Sequence, residues 1–367
     1  MGSRITNVRL RRLAATQRST WMFLEVSTDD GLVGTGECSD SMWPEMVPSA
    51  VREVLSPLRG IDAIADRDAV TTQLRQACAA VADPRRQFMQ RTILGGLEMA
   101  LVDIAAHASG VPLWQWLGGT RRDRVPVYAN LNRSAGQRRP VDLAAKAAQA
   151  VADGHRKVKV APFDGPVLNG LSIVDTGVAI VRAVRDAIGE SVDLMVDVHH
   201  HLSHDQLENA IPQLDELGIA WLEDAVDVTD PDAMRWLGAR TKAPIAGGEA
   251  LSTHEEIEAA LSTGHLRVLL LDPKYTAGPV QLQQLAERVS GVELTYHNPC
   301  GPVSTAVSAH LSTIHPDFTL VEYIYGEDVD RSAVTLPPEP APCDGALELP
   351  MRPGVGLQLN LDHPGWY

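Results

Sequence analysis

Positive charge, cysteine and aromatic side chains are all scarce in this chain of 367 residues. Its 32 Lys and Arg face 47 Asp and Glu, for a formal net charge of −15. No block of basic residues offsets that balance, which excludes a nucleic-acid binder held by phosphate contacts. An anionic substrate is not excluded, because it answers to the local field of a cleft rather than to net charge. The four cysteines, Cys38, Cys78, Cys300 and Cys343, have neither metal-like pairing nor the spacing of a disulfide scaffold. Reduced thiols in a cytoplasmic protein are therefore expected. No run of eighteen apolar residues occurs, and the opening MGSRITNVRL has no apolar signal-peptide core, so no membrane partner is expected. With 44% hydrophobic and 22% charged residues the composition is that of an ordinary globular protein. The length predicts one large and one small domain.

What the chain does contain is a regular alternation. WMFLEVSTDDGLVGTGE (21–37) alternates in strand fashion around the turn residues Asp29, Asp30 and Gly31, and helical periodicity follows over 45–58, 65–82 and 86–108. This predicts an α+β module over 1–122. From 123 to 330 short apolar strands alternate with amphipathic helices: VPVYANL, KVKVAPF, VDLMVDVHH, IAWLEDA, APIAGGEA, VLLLDPK, VELTYHN and FTLVEYI. Buried strands alternating with helices mean a parallel sheet, and eight of them are the number of a closed (β/α)8-type TIM barrel. A polar residue marks the end of each of seven strands: Lys159, Asp197, Glu223, Glu249, Asp272, His297 and Glu322. From Asp197 onward they recur every 23 to 26 residues, one strand-plus-helix unit, which returns each to the same rim of the barrel. Barrel active sites are built on that rim.

Asp197, Glu223 and Glu249 sit on three consecutive strands, and three converging anions require a cation. All-oxygen ligation suits Mg²⁺, with Mn²⁺ as a substitute. Lys157 and Lys159 share one side of their strand by its period of two, and two adjacent ammonium groups prepare one of them to act as a base. Asp272 beside His297 reads as an acid–base dyad. A base on each side of a divalent ion is a device for removing a proton from carbon next to a carboxylate. Three consecutive histidines in LMVDVHHHLSHD (194–205) raise the separate question of a transition-metal site. His199 falls on the same side as Asp197 by the pleat; His200, His201 and His204 read as loop residues.

KVK, DVH, LED, GGE, DPK, YHNPCG and VEY, in that order and spacing, resemble the mandelate racemase subgroup of the enolase superfamily. STDDGLVGTGE resembles that family's capping domain, and PGVGLQLNLD (353–362) its C-terminal tail, so 331–367 is expected to return to the cap. The resemblance implies a modified (β/α)7β barrel, Asp197, Glu223 and Glu249 as metal ligands, and a lysine or histidine base with a Mg²⁺-stabilised enediolate. It assigns Lys159 and His297 to opposite faces of the substrate, with Lys157 near its carboxylate and Glu322 as an electrophile. Glu322 also reads as a buried strand-end glutamate capped by backbone donors. Some galactonate and mannonate dehydratases of the subgroup have a histidine at the place of His199, where it protonates the departing hydroxyl, but lack the lysine pair. Dehydration of a polyhydroxy acid to a 2-keto-3-deoxy acid is thus the expected reaction. Racemisation or epimerisation comes second, a pairing of Lys274 with Lys159 third, and a non-catalytic metal-binding scaffold last. Arg18, Trp43, Asn130, Asn132 and Arg133 are the expected substrate contacts, and relatives imply a homo-oligomer.

Overall fold

The computed structural model describes residues 2–17, 19–39, 43, 46–134, 137–168 and 170–367. Three antiparallel strands open the chain: β1 (Ile5–Ala14), β2 (Thr20–Thr28) and β3 (Val33–Glu37). Helix α3 (Pro84–Ala108) packs on β2 and β3, and α1 (Val47–Leu55) and α2 (Arg67–Ala79) pack on α3. Helix α3 starts where it does because Pro84 presets the first turn and the Asp83 side chain accepts from Arg85 N–H. Strand β3 lies directly on α3, which only glycine permits: a Cβ at Gly36 would fall 1.8 Å from the Gly96 carbonyl oxygen.

After the short helix α4 (Leu113–Trp116), eight parallel strands form the barrel. They are β4 (Arg124–Asn130), β5 (Lys157–Val160), β6 (Asp193–Asp197), β7 (Trp221–Glu223), β8 (Ile245–Gly247), β9 (Leu266–Leu271), β10 (Glu293–Tyr296) and β11 (Phe318–Ile324). Each pairs with the next, and β11 pairs with β4 to close the ring. Seven helices join them: α5 (Pro140–Ala152), α6 (Ile173–Ile188), α7 (His204–Glu216), α8 (Pro231–Gly238), α9 (His254–Ser262), α10 (Pro279–Ala286) and α11 (Pro302–Leu311). Eight strands with seven connecting helices make the (β/α)7β form. Three of the helix starts are written in the sequence as capping boxes, Ser172 with Asp175, Ser203 with Gln206 and Thr253 with Glu256, which satisfy otherwise orphaned N–H groups. Tyr128, Met195, Trp221, Val268 and Leu270 plug the interior, so the barrel is a packed core and not a pore.

Seven of the eight strands end one to three residues before their apolar patterns do, and β11 ends with its pattern at Ile324. Past β11 the chain adds an antiparallel strand, Ala346–Glu348, beside β4. Trp366 then reaches the cap, bridging to Leu13 and meeting Phe23 edge-on at 5.7 Å. Cap and barrel are also joined by Glu37, whose carboxylate accepts from Gly301 N–H at 2.6 Å and Ser304 N–H at 2.9 Å at the start of α11. Among the described residues, no helix is long and apolar enough to cross a membrane.

Candidate active site

Strand register fixes the heart of the site. Asp197 and Glu223 are Cα partners on β6 and β7, and Glu249 stands two residues past β8. Lys159 is fully buried and points its ammonium into this group. Its Nζ lies 2.6 Å from Glu223 Oε1, 2.9 Å from Glu322 Oε1 and 3.4 Å from Asp197 Oδ2. Burial opposes its charge, but Glu223 and Glu322 outweigh that and hold its pKa well above the usual lysine value. One ammonium cannot neutralise three carboxylates. Despite burial, Lys159 and His199 pull Asp197 down to about 2, and Lys159 and His297 do the same for Glu322. Glu223 takes up the deficit: burial and then the Asp197 charge push it well above the carboxylate range.

Two imidazoles flank this group, from β6 and β10, which lie four strands apart and so face each other across the ring. His297 Nδ1 is 2.8 Å from Asp272 Oδ2, and Nε2 is 2.9 Å from Glu249 Oε2. Burial disfavours its charge, yet Glu249 and Glu322 raise it to about 10. Lys274, also fully buried, gives its ammonium to Asp272 Oδ2 at 2.7 Å. It is therefore a third member of the His297–Asp272 unit, and its contact is with Asp272 and not with Lys159. On the other side His199 Nε2 lies 2.9 Å from Asp197 Oδ2 and Nδ1 2.9 Å from Asp164 Oδ1. Against burial, Asp197 and Asp164 lift its pKa to about 12. His199 sits past the strand with φ of 48°, so a left-handed turn, and not the pleat, brings it back over Asp197.

The expected lysine pair does not form. Lys157 lies at the opposite, N-terminal end of the barrel, pairs with Asp193, and lines a cavity of about 820 Å³ there with Trp221 and Arg267. Period two puts Lys157 and Lys159 on one face, but one residue pair is a step of about 6.6 Å along the strand. That step separates the barrel floor from its rim. Without a second ammonium beside it, the argument from a lysine pair for Lys159 as a base falls away. The oxygens of Glu322 are taken by Lys159, by the Asn130 amide and by Asn298 N–H at 2.8 Å, so it is a strand-end glutamate capped by donors.

Of the expected substrate contacts, Asn130 and Asn132 lie in the site, Asn132 Nδ2 standing 3.4 Å from Asp197 Oδ2. Arg133 lies in the loop after β4, close enough for its charge to act on Tyr275, Cys300 and Glu327. Trp43 belongs to the cap and reaches His297 through Phe88 and Tyr275, with ring centroids 5.9, 4.6 and 5.7 Å apart in turn. Arg18 lies outside the described residues. Two acids were missed. Asp224 follows Glu223 in LEDA, and burial with Glu249 and Asp197 pushes it up to about 8; its adjacency to a strand-end glutamate was the available signal. Asp164 lies in the loop after β5, where no periodicity marks it. His201, read as a loop residue, also reaches Asp164, with Nε2 3.2 Å from Oδ1.

This donor set fits a divalent metal. Asp197, Glu223 and Glu249 offer oxygen only, and with Asp224 beside them they carry more negative charge than Lys159 offsets, as the raised Glu223 and Asp224 record. Their carboxylates at present turn towards Lys159 and His297. Among the described residues the side chains whose donor atoms all gather within 4.8 Å are Asp164, His199 and His201.

The family model described as Mandelate racemase / muconate lactonizing enzyme, N-terminal domain, matches residues 5–118, and that described as Enolase C-terminal domain-like matches 142–363. A D-gluconate dehydratase of Thermoproteus tenax is 32% identical over 346 residues, covering 92% of this chain and 68% of that protein. A D-galactonate dehydratase of Ralstonia nicotianae is 29% identical over 349 residues, covering 93% and 89%. The crystal structure of a mandelate racemase/muconate lactonizing enzyme from Jannaschia sp. CCS1 superposes with a TM-score of 0.82 at 26% identity, over 97% of this chain and 95% of that one.

Proposed function

The chain belongs to the enolase superfamily, in its mandelate racemase and muconate lactonizing enzyme branch, and from that premise we propose that it dehydrates an acid sugar. It is a metal-dependent enzyme of the hydro-lyase kind. The substrate we infer is a polyhydroxy carboxylate with hydroxyls on the α- and β-carbons, and the product a 2-keto-3-deoxy acid. The observation that carries this reading is the pair of imidazoles facing each other across one carboxylate group, each with its own aspartate, His297 with Asp272 and His199 with Asp164.

Asp197, Glu223 and Glu249 would hold the ion, for which Mg²⁺ is the fitting choice. When bound, it would supply Lewis-acid stabilisation of the charge that develops on the substrate carboxylate. His297 then accepts the α-proton at Nε2, while its Nδ1–H stays donated to Asp272. The β C–O bond breaks as His199 Nε2–H passes its proton to the departing hydroxyl, which leaves as water. The enol left behind takes up a proton at the β-carbon, gives up its hydroxyl proton and becomes the ketone. Lys159 remains an ammonium throughout, a fixed positive charge beneath the developing enediolate. A racemase needs a base on each face, and on the β5 side Lys159 has no second lysine beside it; that weighs against proton transfer without elimination.

The test is a panel of acid sugars with Mg²⁺ in D₂O, followed for 2-keto acid and for deuterium at the α-carbon. His297→Asn should lose both signals, and His199→Asn should keep α-exchange while losing ketone. Deuteration by the wild type with no ketone from any acid would replace dehydration by epimerisation.

A further inference from the structure

The histidine run contains a second constellation, separate from the oxygen donors of the rim. We propose that Asp164, His199 and His201 form a site for a borderline first-row divalent ion such as Zn²⁺, Co²⁺ or Ni²⁺. An ion held there takes His199 out of the reaction.

The geometry is of the right kind. His199 Nδ1 and His201 Nε2 lie 2.9 and 3.2 Å from the same Asp164 oxygen, and all three donors fall within 4.8 Å of one another. Bonds of about 2.1 Å to nitrogen and oxygen set neighbouring ligands roughly 3.0 to 3.4 Å apart, so the three side chains already approach the edges of a coordination polyhedron. The two rings stand at 81° to each other with centroids 6.2 Å apart, as two ligands of one centre would. This arrangement is built by the backbone: His199 and His200 have φ of 48° and 55°, left-handed values that non-glycine residues rarely adopt, and this turn brings residues 199 and 201 to the same carboxylate.

Two imidazoles and one carboxylate select against Mg²⁺, which prefers oxygen, and for the later first-row ions. The site is also accessible, with the His201 side chain 49% exposed and Asp164 25%. Three protein ligands leave positions for water.

His199 is shared between the two centres. With an ion on Nδ1, its Nε2–H remains donated to Asp197 Oδ2 at 2.9 Å, as a ligand imidazole commonly gives its second nitrogen to a carboxylate. A ring fixed in that way no longer swings a proton to a leaving hydroxyl. The effect on the reaction rests on the dehydratase reading above; the binding does not.

The experiment uses the full chain without a histidine tag, saturated with Mg²⁺ and titrated with Co²⁺, followed by visible d–d absorption and equilibrium dialysis. The wild type should bind one Co²⁺ beyond the rim site with the stronger absorption of a nitrogen-containing, low-coordinate centre. His201→Ala should weaken that binding by roughly a hundredfold. His204→Ala, whose ring stacks on Trp236 at 4.3 Å, should leave it unchanged. Equal binding by wild type and His201→Ala, or no Co²⁺ taken up above Mg²⁺, overturns the site. Zn²⁺ at the same occupancy should then slow ketone formation by the wild type and not by His201→Ala. Full turnover with the site filled would leave the site standing and remove His199 as the acid, so the two failures are told apart.

Discussion

Asp272→Asn separates stability from chemistry in the His297 unit. Asp272 Oδ2 receives His297 Nδ1 at 2.8 Å and Lys274 Nζ at 2.7 Å, while Oδ1 receives Lys274 N–H at 2.7 Å, all without exposure to solvent. Asparagine keeps the shape and removes the charge. Lys274 is then a buried ammonium without its carboxylate, and breaking a buried pair from one side costs about 3–5 kcal/mol. For a chain of this size that corresponds to a fall in Tm of roughly 4–6 °C by calorimetry. His297 loses the anion that orients its Nδ1–H, and an aspartate-to-asparagine change in such a dyad lowers kcat by about 10⁴. The double variant Asp272→Asn with Lys274→Met removes the stranded cation along with its partner. It should regain most of the Tm and none of the activity. A single variant with kcat within tenfold of wild type, or a double variant that recovers turnover, would refute the assignment of Asp272 as the group through which His297 works.

Lys157→Met should leave kcat within about twofold, since the residue is on the barrel floor, whereas Lys159→Met should abolish ketone formation by stripping the buried carboxylates of their cation; steady-state assays of both decide it. Glu37→Ala should lower Tm by several degrees in calorimetry, because it leaves Gly301 N–H and Ser304 N–H unpaired at a buried helix start, at about 1–3 kcal/mol for each unsatisfied donor. His310 should make the fold acid-sensitive. It accepts from Trp114 N–H at Nδ1 and faces the Val355 carbonyl with Nε2, the neutral tautomer, and burial lowers its pKa from 6.5 to about 4. A depressed histidine gives stability that is whole above pH 6.5 and is lost as pH falls towards 4; that loss should appear as a drop in Tm over this window, shallower in His310→Asn.

Periodicity made the barrel legible. Apolar strands of near-constant spacing can only be buried by closing on themselves under their helices, and the capping boxes at Ser172, Ser203 and Thr253 mark where three of those helices begin. The rim residues from Asp197 to Glu322 were readable for the same reason: one strand-plus-helix unit returns the chain to the same height. Loop residues carry no such clock. Asp164 lies in an irregular segment after β5, and only the fold shows that it meets both His199 and His201.

The lysines show where that logic stops. Alternation along a strand states which side a residue faces and is silent about its height, so KVK reads as two amines in one site when it is one amine at the rim and one on the floor. The consequence is chemical as well as geometric. A pair of ammonium groups would have favoured a neutral lysine and a base on the β5 face. A single ammonium among Glu223, Glu322 and Asp197 is held charged instead. KVK read as a lysine pair, together with the extra histidine, would set the chain apart from dehydratases with a histidine at the place of His199. With Lys157 on the floor that distinction disappears. Under the proposed dehydration, the two imidazoles on opposite sides of the rim would divide the work, one taking a proton from carbon and the other giving one to oxygen, as an elimination needs.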